Sequence, residues 1–172
     1  LGHDAVTILD GGQRAWLAAG KAVSKDAVAP TKVAFNANFR PELLASADDV
    51  AKAQANGVAL IDARPESQFK GDAKSGVVAR NGAIPGAKNI SQSKFYSDQD
   101  GAFVASDTIA QLVGDAGVSS DAKEITYCNT GHWASVAWFG LSEVMGNKNT
   151  AMYDGSLTEW AADPSREMVI PE

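Results

Sequence analysis

The segment ITYCNTGHWASVAWF (125–139) contains the only cysteine of the chain, Cys128. An apolar run ends at this residue, a short loop of small and polar residues follows, and an apolar helical pattern then begins. A thiol is a nucleophile in its thiolate form, which backbone N–H groups at a helix N-terminus stabilise. Residues 129–132, with Gly131 among them, form a loop that can curl its amides around one atom. A lone cysteine is often a small buried apolar residue, but this position favours a reactive thiol.

The elements around this loop alternate between strands and helices. Continuous apolar runs, typical of strands covered on both faces, occupy VALIDA (58–63) and EITYC (124–128). Shorter strands are predicted in GAIPGAKNIS (82–91) and TAMYDG (150–155). Helices are predicted in SADDVAKAQANG (46–57, with Ser46 as N-cap), DTIAQLVGDAGV (107–118) and WASVAWFGLSEVMG (133–146). This alternation predicts an α/β domain with a parallel sheet, whose reactive groups gather at the carboxyl ends of the strands.

Length and composition narrow the possible classes of protein. A chain of 172 residues that is 45% hydrophobic and 21% charged is long enough for one well-buried globular domain with a small extra piece. Its formal net charge of −6 argues against a nucleic-acid or anionic-membrane partner. One cysteine excludes an internal disulfide and a multi-cysteine metal site. No nucleotide motif is visible, and no apolar run approaches the roughly 20 residues of a membrane span. We therefore expect no cofactor, no metal and no membrane anchor.

A second feature is a repeated corner. VTILDGGQRAWLAAG (6–20) resembles TAMYDGSLTEWAADP (150–164), and each predicts a short strand, an Asp-Gly turn and a helix that buries a tryptophan. The matching residues are Asp10, Gly11 and Trp16 in the first copy and Asp154, Gly155 and Trp160 in the second. These identities alone leave two explanations open, a duplicated domain or the coincidence of a common corner. Residues 25–40 show no sustained periodicity and are predicted to be a linker.

Four segments together resemble the rhodanese family of sulfurtransferases. YCNTGHWAS (127–135) is similar to the active-site loop of that family, and LIDARPESQFKG (60–71) to its first strand with Asp-x-Arg. NGAIPGAKNI (81–90) resembles its Gly-His-Ile-Pro-Gly-Ala-x-Asn segment, and YDGSLTEW (153–160) its closing Asp-Gly-Gly…Trp helix. The resemblance implies a rhodanese-like three-layer α/β fold, with a central parallel sheet flanked by helices.

The resemblance also implies a domain organisation. In tandem rhodaneses two such domains are joined by a linker, and the second carries the cysteine. Residues 1–24 would then be the C-terminal tail of a truncated first domain, 25–40 the interdomain linker and 41–172 the catalytic domain. This organisation explains the repeated corner. It also makes the missing first domain, whether joined to this chain or present as a separate chain, an expected partner.

Roles for individual residues follow from the same resemblance. Cys128 would take a sulfane sulfur from a small-molecule donor as a persulfide and pass it to a thiol or to cyanide. The backbone amides that would cradle this sulfur are those of Asn129, Thr130, Gly131, His132, Trp133 and Ala134. Asp62 matches an acid that helps to position the loop, and Arg64 matches the arginine two residues on. By residue type alone, Asp62 can equally cap its turn and Arg64 can be a solvated charge.

The identity of the sulfur donor depends on positive charge near Cys128. Thiosulfate is a dianion, so enzymes that use it supply positive charge near the cysteine. Some family members have Arg at the positions of Trp133 and Gln68, and this chain has neither arginine. His132 is the one titratable side chain of the loop, and it can contact the donor, act as an acid or remain solvated. Ala83 replaces the usual His before Ile-Pro-Gly. The remaining candidates for the positive charge are Arg64 and Arg80.

The expected activity is that of a thiosulfate sulfurtransferase, and three other functions are alternatives to it. The loop differs from the Cys-Gly-Ser/Thr-Gly-Val-Thr form typical of 3-mercaptopyruvate enzymes, which nevertheless stay the main alternative. A cysteine-dependent phosphatase requires Cys-x5-Arg, whose arginine clamps the phosphate, and the corresponding position is Ala134. A non-catalytic binding module is less consistent with the presence of Cys128.

Overall fold

A four-stranded parallel sheet forms the centre of the molecule. In the computed structural model, which describes Gly2 and residues 5–172, the strands are β1 (Ala59–Asp62), β2 (Lys88–Asn89), β3 (Glu124–Tyr127) and β4 (Thr150–Met152). Their order across the sheet is β2-β1-β3-β4, and every pair is parallel. All residues of β3 are buried, as expected for a strand with helices on both faces.

Six short α-helices accompany the sheet. They are α1 (Gly12–Ala18), α2 (Ala47–Lys52), α3 (Glu66–Phe69), α4 (Ser106–Asp115), α5 (His132–Phe139) and α6 (Ser156–Trp160). Two 3₁₀ turns lie at Pro41–Leu43 and Gln92–Lys94. The predicted helix 133–146 begins as α5 and continues as a π-helical turn, Gly140–Val144.

Two hydrophobic clusters pack against opposite faces of the sheet. Because successive residues of a strand point to opposite faces, the neighbours Leu60 and Ile61 belong to different clusters. The first cluster includes Val50 of α2 and Trp160 of α6. The second includes residues of α4 and α5, namely Ile109, Val113, Ala134 and Ala137. The predicted three-layer α/β architecture is therefore confirmed.

The start of α2 agrees with its sequence signal in detail. The Ser46 hydroxyl accepts a hydrogen bond from the Asp49 amide (3.2 Å), and the Asp49 carboxylate accepts one from the Ser46 amide (2.8 Å). This reciprocal capping box satisfies two amides that the helix itself cannot pair. The prediction of Ser46 as N-cap is confirmed.

The first copy of the repeated corner differs from its prediction. Residues 6–9 form no strand, and Trp16 is 40% exposed, with its indole N–H donating to the Ala22 carbonyl (2.9 Å). Trp160 in the second copy is 4% exposed. Trp160 is buried as the corner predicts, whereas Trp16 is not, because no sheet or helix layer of the described structure covers it. Poor packing of Trp16 is what the tandem organisation, which assigns it to the first domain, leads us to expect.

Residues 5–40 lie on the outside of the molecule. The Arg14 side chain donates to the carbonyls of Asp98 (3.0 Å) and Ser97 (3.3 Å), and the Asp10 carboxylate accepts from the Phe103 amide (2.8 Å). Residues 21–40 contain no regular element and are exposed. The division into a domain tail (1–24) and a linker (25–40) stays a prediction, and Leu1, His3 and Asp4 lie outside the described residues. Among the described residues, no helix is both long and apolar enough to cross a membrane.

Candidate active site

Cys128 lies at the carboxyl end of β3, where two loops of the sheet meet. Asp62 at the end of β1 is paired with Tyr127 at the end of β3, so the residues that follow them share one edge. Cys128 is 1% exposed and packs in the second hydrophobic cluster. Its position between a strand and a helix is the one predicted from the sequence.

Gly131 shapes the loop between Cys128 and α5. It is the N-cap of α5 and has φ +84°, a backbone angle that glycine adopts without steric cost. A Cβ atom at this position would collide with the Asp154 carboxylate. The Gly131 carbonyl accepts the Ser135 amide (2.9 Å), which begins the helix. Glycine is therefore required here on two counts, backbone angle and space.

Most amides of this loop have no acceptor among the described residues. Within the described structure, no acceptor is recorded for the amides of Asn129, Thr130, His132, Trp133 and Ala134. The Gly131 amide is different, because it donates to the Ser156 hydroxyl (3.2 Å). The Gly131 amide thus already has an acceptor within the fold, and the cradle of amides from Asn129 to Ala134 stays a prediction. The other five amides belong to the first turn of α5 and the loop before it, where N–H groups favour negative charge.

A cavity of about 190 Å³ opens beside the thiol. Its lining consists of Ser75, Val77, Cys128, Asn129, Thr130, His132 and Trp133. No Lys or Arg belongs to this described lining, so His132 is its one side chain able to carry positive charge. The Nδ1 atom of His132 lies 3.2 Å from the Thr130 hydroxyl. A larger cavity, of about 430 Å³ beside Trp160, has no cysteine in its described lining.

Asp62 and Arg64 form a buried ion pair below the loop. Their exposures are 0% and 2%, and the Arg64 Nη2 atom lies 2.6 Å from the Asp62 Oδ2 atom. Arg64 also donates to the Gly82 carbonyl (2.8 Å). Burial opposes the charge of Arg64, but the hydrogen bonds and charge of Asp62 outweigh it and raise the pKa of Arg64. The interpretation of Arg64 as a solvated charge is wrong, because the side chain is buried and its Nε and Nη2 atoms donate to Asp62 and Gly82.

The Asp62 carboxylate caps the turn that follows its own strand. One of its oxygens accepts the Arg64 amide (3.0 Å), which is the turn-capping role that its residue type allows. Its charge also acts on the Tyr127 hydroxyl, since burial first and the charge of Asp62 second raise the pKa of Tyr127 well above its usual value. Tyr127 therefore stays neutral. None of the described hydrogen bonds of Asp62 reaches residues 129–134 directly.

Gln68 touches the loop although it is distant in sequence. The Asn129 side-chain amide donates to the Gln68 Oε1 atom (2.9 Å), and Asn129 is 6% exposed. The Asn129 Oδ1 atom is buried and has no partner among the described residues. The position at which some family members have Arg is therefore in contact with the residue after Cys128.

Arg80 does not line the cavity beside Cys128. Its guanidinium donates to the carbonyls of Ala161 (2.9 Å), Trp160 (3.3 Å), Asp163 (2.8 Å) and Arg166 (2.8 Å). These four bonds hold the turn after α6 and use four of the five N–H donors of the side chain. The expectation that Arg80 binds the substrate is corrected to a role in holding this turn.

Ser156 is a residue of the site that the sequence did not reveal. It lies 28 positions after Cys128, and its hydroxyl accepts the Cys128 amide (3.1 Å). Its one sequence signal is its place as the third residue of the segment that resembles Asp-Gly-Gly.

Comparisons with known proteins agree with this geometry. Residues 46–163 match the family model of the rhodanese-like domain. A Haloferax volcanii protein named "Putative thiosulfate sulfurtransferase" is 36% identical over 165 residues, which cover 92% of this chain and 57% of that protein. A protein of the same name from Mycobacterium tuberculosis (strain H37Rv) is 33% identical over 167 residues, covering 94% of this chain and 60% of its own length. The chain belongs to the rhodanese-like domain family, and it spans 57–60% of these relatives.

Solved structures show the same similarity. The anaerobic ergothioneine biosynthesis enzyme from Chlorobium limicola, in complex with trimethyl histidine, superposes with a TM-score of 0.90 at 28% identity. The match covers 99% of this chain and 43% of that enzyme. A variant of the enzyme EanB, which carries a cysteine persulfide and is bound with ergothioneine, has a TM-score of 0.90 at 27% identity.

Proposed function

We propose that this chain carries the catalytic centre of a sulfurtransferase, in which Cys128 receives a sulfane sulfur as a persulfide and passes it on. The observation that carries the proposal is the position of Cys128 at the end of β3, before a turn of five amides without a recorded acceptor. The names of the curated relatives and the cysteine persulfide in the EanB structure support it.

The chemistry needs two displacements at sulfur. The Cys128 thiolate attacks the outer sulfur of thiosulfate, the sulfur–sulfur bond of the donor breaks, and sulfite leaves with the electron pair. The acceptor then attacks the outer sulfur of the persulfide and regenerates the thiolate. Cyanide becomes thiocyanate, and a thiol becomes a persulfide. The loop amides stabilise the anionic sulfur in both states without requiring a cation.

Thiosulfate is the donor that we propose, with 3-mercaptopyruvate as the alternative. The names of the relatives favour thiosulfate. Since the described lining contains no Lys or Arg, the donor's charge would meet the loop amides and the His132 ring. His132 contacts the donor in this proposal, while Asp62 and Arg64 support the site from below.

We also propose that a preceding rhodanese-like domain completes the protein. The chain spans 57–60% of its curated relatives, and residues 6–20 resemble the corner at 150–164. In this proposal residues 1–24 end the first domain and residues 25–40 link the two.

Intact-mass measurement tests the proposed transfer. Thiosulfate is expected to add about 32 Da, the mass of one sulfur atom, and cyanide is expected to remove it and yield thiocyanate. The Cys128→Ser variant should show neither step, because it lacks the thiol. His132→Ala keeps the thiol but loses the donor contact, so we expect slower sulfur uptake and a persulfide of unchanged lifetime. An unmodified Cys128 after exposure to thiosulfate and to 3-mercaptopyruvate, with the preceding domain present, would contradict the proposal.

A further inference from the structure

Ser156 has an unusual backbone for its residue type. Its φ is +50°, and among the described residues it is the one non-glycine residue with a positive φ. It is fully buried at the start of α6. An L-residue with a side chain is disfavoured in this left-handed region. A strained residue persists where the surrounding contacts hold it, and such residues gather at functional sites.

The Ser156 hydroxyl is saturated with hydrogen bonds. It donates to the Tyr153 carbonyl (2.9 Å) and accepts from the amides of Cys128 (3.1 Å) and Gly131 (3.2 Å). One donor and two acceptor positions are the full capacity of a hydroxyl group. A single oxygen atom thus joins the first and the last residue of the loop that precedes α5.

The backbone after Ser156 continues this attachment. The Leu157 amide donates to the Cys128 carbonyl (3.1 Å), and the Thr158 amide donates to the Asn129 carbonyl (2.9 Å). The Thr158 hydroxyl bonds to the same Asn129 carbonyl (2.7 Å). Of the four backbone amides of residues 128–131, those of Asn129 and Thr130 therefore have no acceptor among the described residues.

We propose that Ser156 is a positioning residue of the sulfur-transfer loop. By holding the amides of Cys128 and Gly131, its hydroxyl sets the curvature of the loop before any substrate binds, so that the free amides stay arranged around the sulfur. Preorganised donors of this kind stabilise an anion without the cost of rearrangement. The inference rests on the proposed transfer through Cys128 and deepens it.

A comparison with glycine shows why a serine is suited to position 156. Glycine would adopt the backbone angle of Ser156 without strain, but it would leave the buried amides of Cys128 and Gly131 without an acceptor. The loop could then turn these amides elsewhere. Serine is strained at this backbone angle, but its hydroxyl group holds both amides in place.

Two variants separate positioning from folding. Ser156→Gly removes the hydroxyl and the strain together, whereas Ser156→Ala removes the hydroxyl alone. In both we expect alkylation of Cys128 by iodoacetamide at pH 7 to slow about tenfold, since a loosened loop stabilises the thiolate less. The persulfide formed with thiosulfate should also decay severalfold faster. Ser156→Ala should have the lower melting temperature of the two, because it keeps the strain.

Ser142→Ala is the matched control. Ser142 is also buried (1% exposed), but its hydroxyl donates to the Glu143 carboxylate in the π-helical turn, away from the loop. Its alkylation rate and persulfide lifetime should equal those of the wild type.

The outcomes distinguish this inference from the proposed function. Wild-type rates in Ser156→Gly, in a chain that takes up sulfur, would overturn the positioning role. A fall in melting temperature alone, with unchanged alkylation, would overturn it as well. Absence of sulfur uptake by the wild type from both donors, with the preceding domain present, would instead contradict the proposed transfer, and the alkylation rates would still decide whether Ser156 positions the thiol.

Discussion

Arg64 shows at the residue scale that a charge near a site need not serve its substrate. The side chain is 2% exposed and bonds to the Asp62 carboxylate through two nitrogen atoms. A buried charge that loses its partner is costly, because no water replaces the lost interactions. Arg64 therefore supports the edge of the sheet on which Cys128 lies.

Arg64→Ala is expected to lower the free energy of unfolding by about 3–5 kcal/mol, since it leaves the Asp62 carboxylate buried and unpaired. Urea unfolding at pH 7 measures this loss. Arg40→Ala is the matched control, because its partner Glu42 is exposed and such surface pairs contribute about 0–1 kcal/mol. Wild-type stability of Arg64→Ala, accompanied by loss of sulfur uptake, would show that Arg64 contacts the donor after all.

Gln68→Arg is expected to improve the use of thiosulfate. The Gln68 side chain reaches Asn129 (2.9 Å), so an arginine there would bring a positive charge to a lining that has no Lys or Arg among its described residues. A charge-assisted contact with the dianion should lower KM about tenfold. Gln68→Met, which also loses the bond to Asn129 but adds no charge, should give no such gain. The gain should shrink at high ionic strength, and a KM that is unchanged or higher at low salt would contradict the prediction.

Strand β3 has a buried thiol just after its carboxyl end and a buried carboxyl group at its amino end. Cys128 follows its carboxyl end, and Glu124 begins its amino end with 1% exposure. The Glu124 Oε2 atom accepts from Asn147 (3.0 Å) and Thr150 (2.9 Å), whereas Oε1 has no partner among the described residues. Burial raises the pKa of Glu124 to about 7, and these two hydrogen bonds only partly oppose the shift.

This buried carboxyl group should make stability depend on pH. The folded protein binds the Glu124 proton more tightly than the unfolded chain does, so the free energy of unfolding falls as pH rises from about 4.5 to about 7. The loss attributable to Glu124 is about 3 kcal/mol at most. Glu124→Gln stays neutral, so its stability relative to the wild type should increase over this window. Chemical unfolding of both proteins at pH 5 and pH 8 measures the difference, and parallel curves would contradict the assignment.

The whole molecule consists of a packed part and an exposed part. Residues 41–172 contain the sheet and both hydrophobic clusters. Residues 5–40 contain one helix, α1, and none of their side chains is classed as buried. Exposed apolar side chains in this segment include Ile8, Trp16, Leu17, Phe35 and Phe39. The hydrophobic contribution to stability therefore comes from the part that begins at Pro41.

Deletion of residues 1–40 should leave the stability of the remainder nearly unchanged. The contacts that would be lost include three surface hydrogen bonds to residues 97–103, which at about 0.5 kcal/mol each sum to about 1.5 kcal/mol. We therefore expect the melting temperature to fall by no more than about 3–6 °C. Calorimetry of the two chains at equal concentration tests this. A decrease of about 10 °C would show that residues 5–40 belong to the cooperative core.

The sequence by itself determined the features that depend on local patterns. The buried runs at 58–63 and 124–128 predicted parallel strands, and the capping box at Ser46 predicted the start of α2. Both depend on neighbours within a few residues, as does the strand–loop–helix pattern that placed Cys128 at the edge of the sheet. The tertiary structure decided where the charges and hydroxyl groups act. The Nε and Nη2 atoms of Arg64 donate to Asp62 and Gly82, Arg80 holds carbonyls 80 or more positions away, and Ser156 holds the amides of Cys128 and Gly131. The two corners share Asp-Gly and a tryptophan, yet Trp160 is buried and Trp16 is not, because burial depends on the layer that packs over a residue and a local motif does not specify that layer.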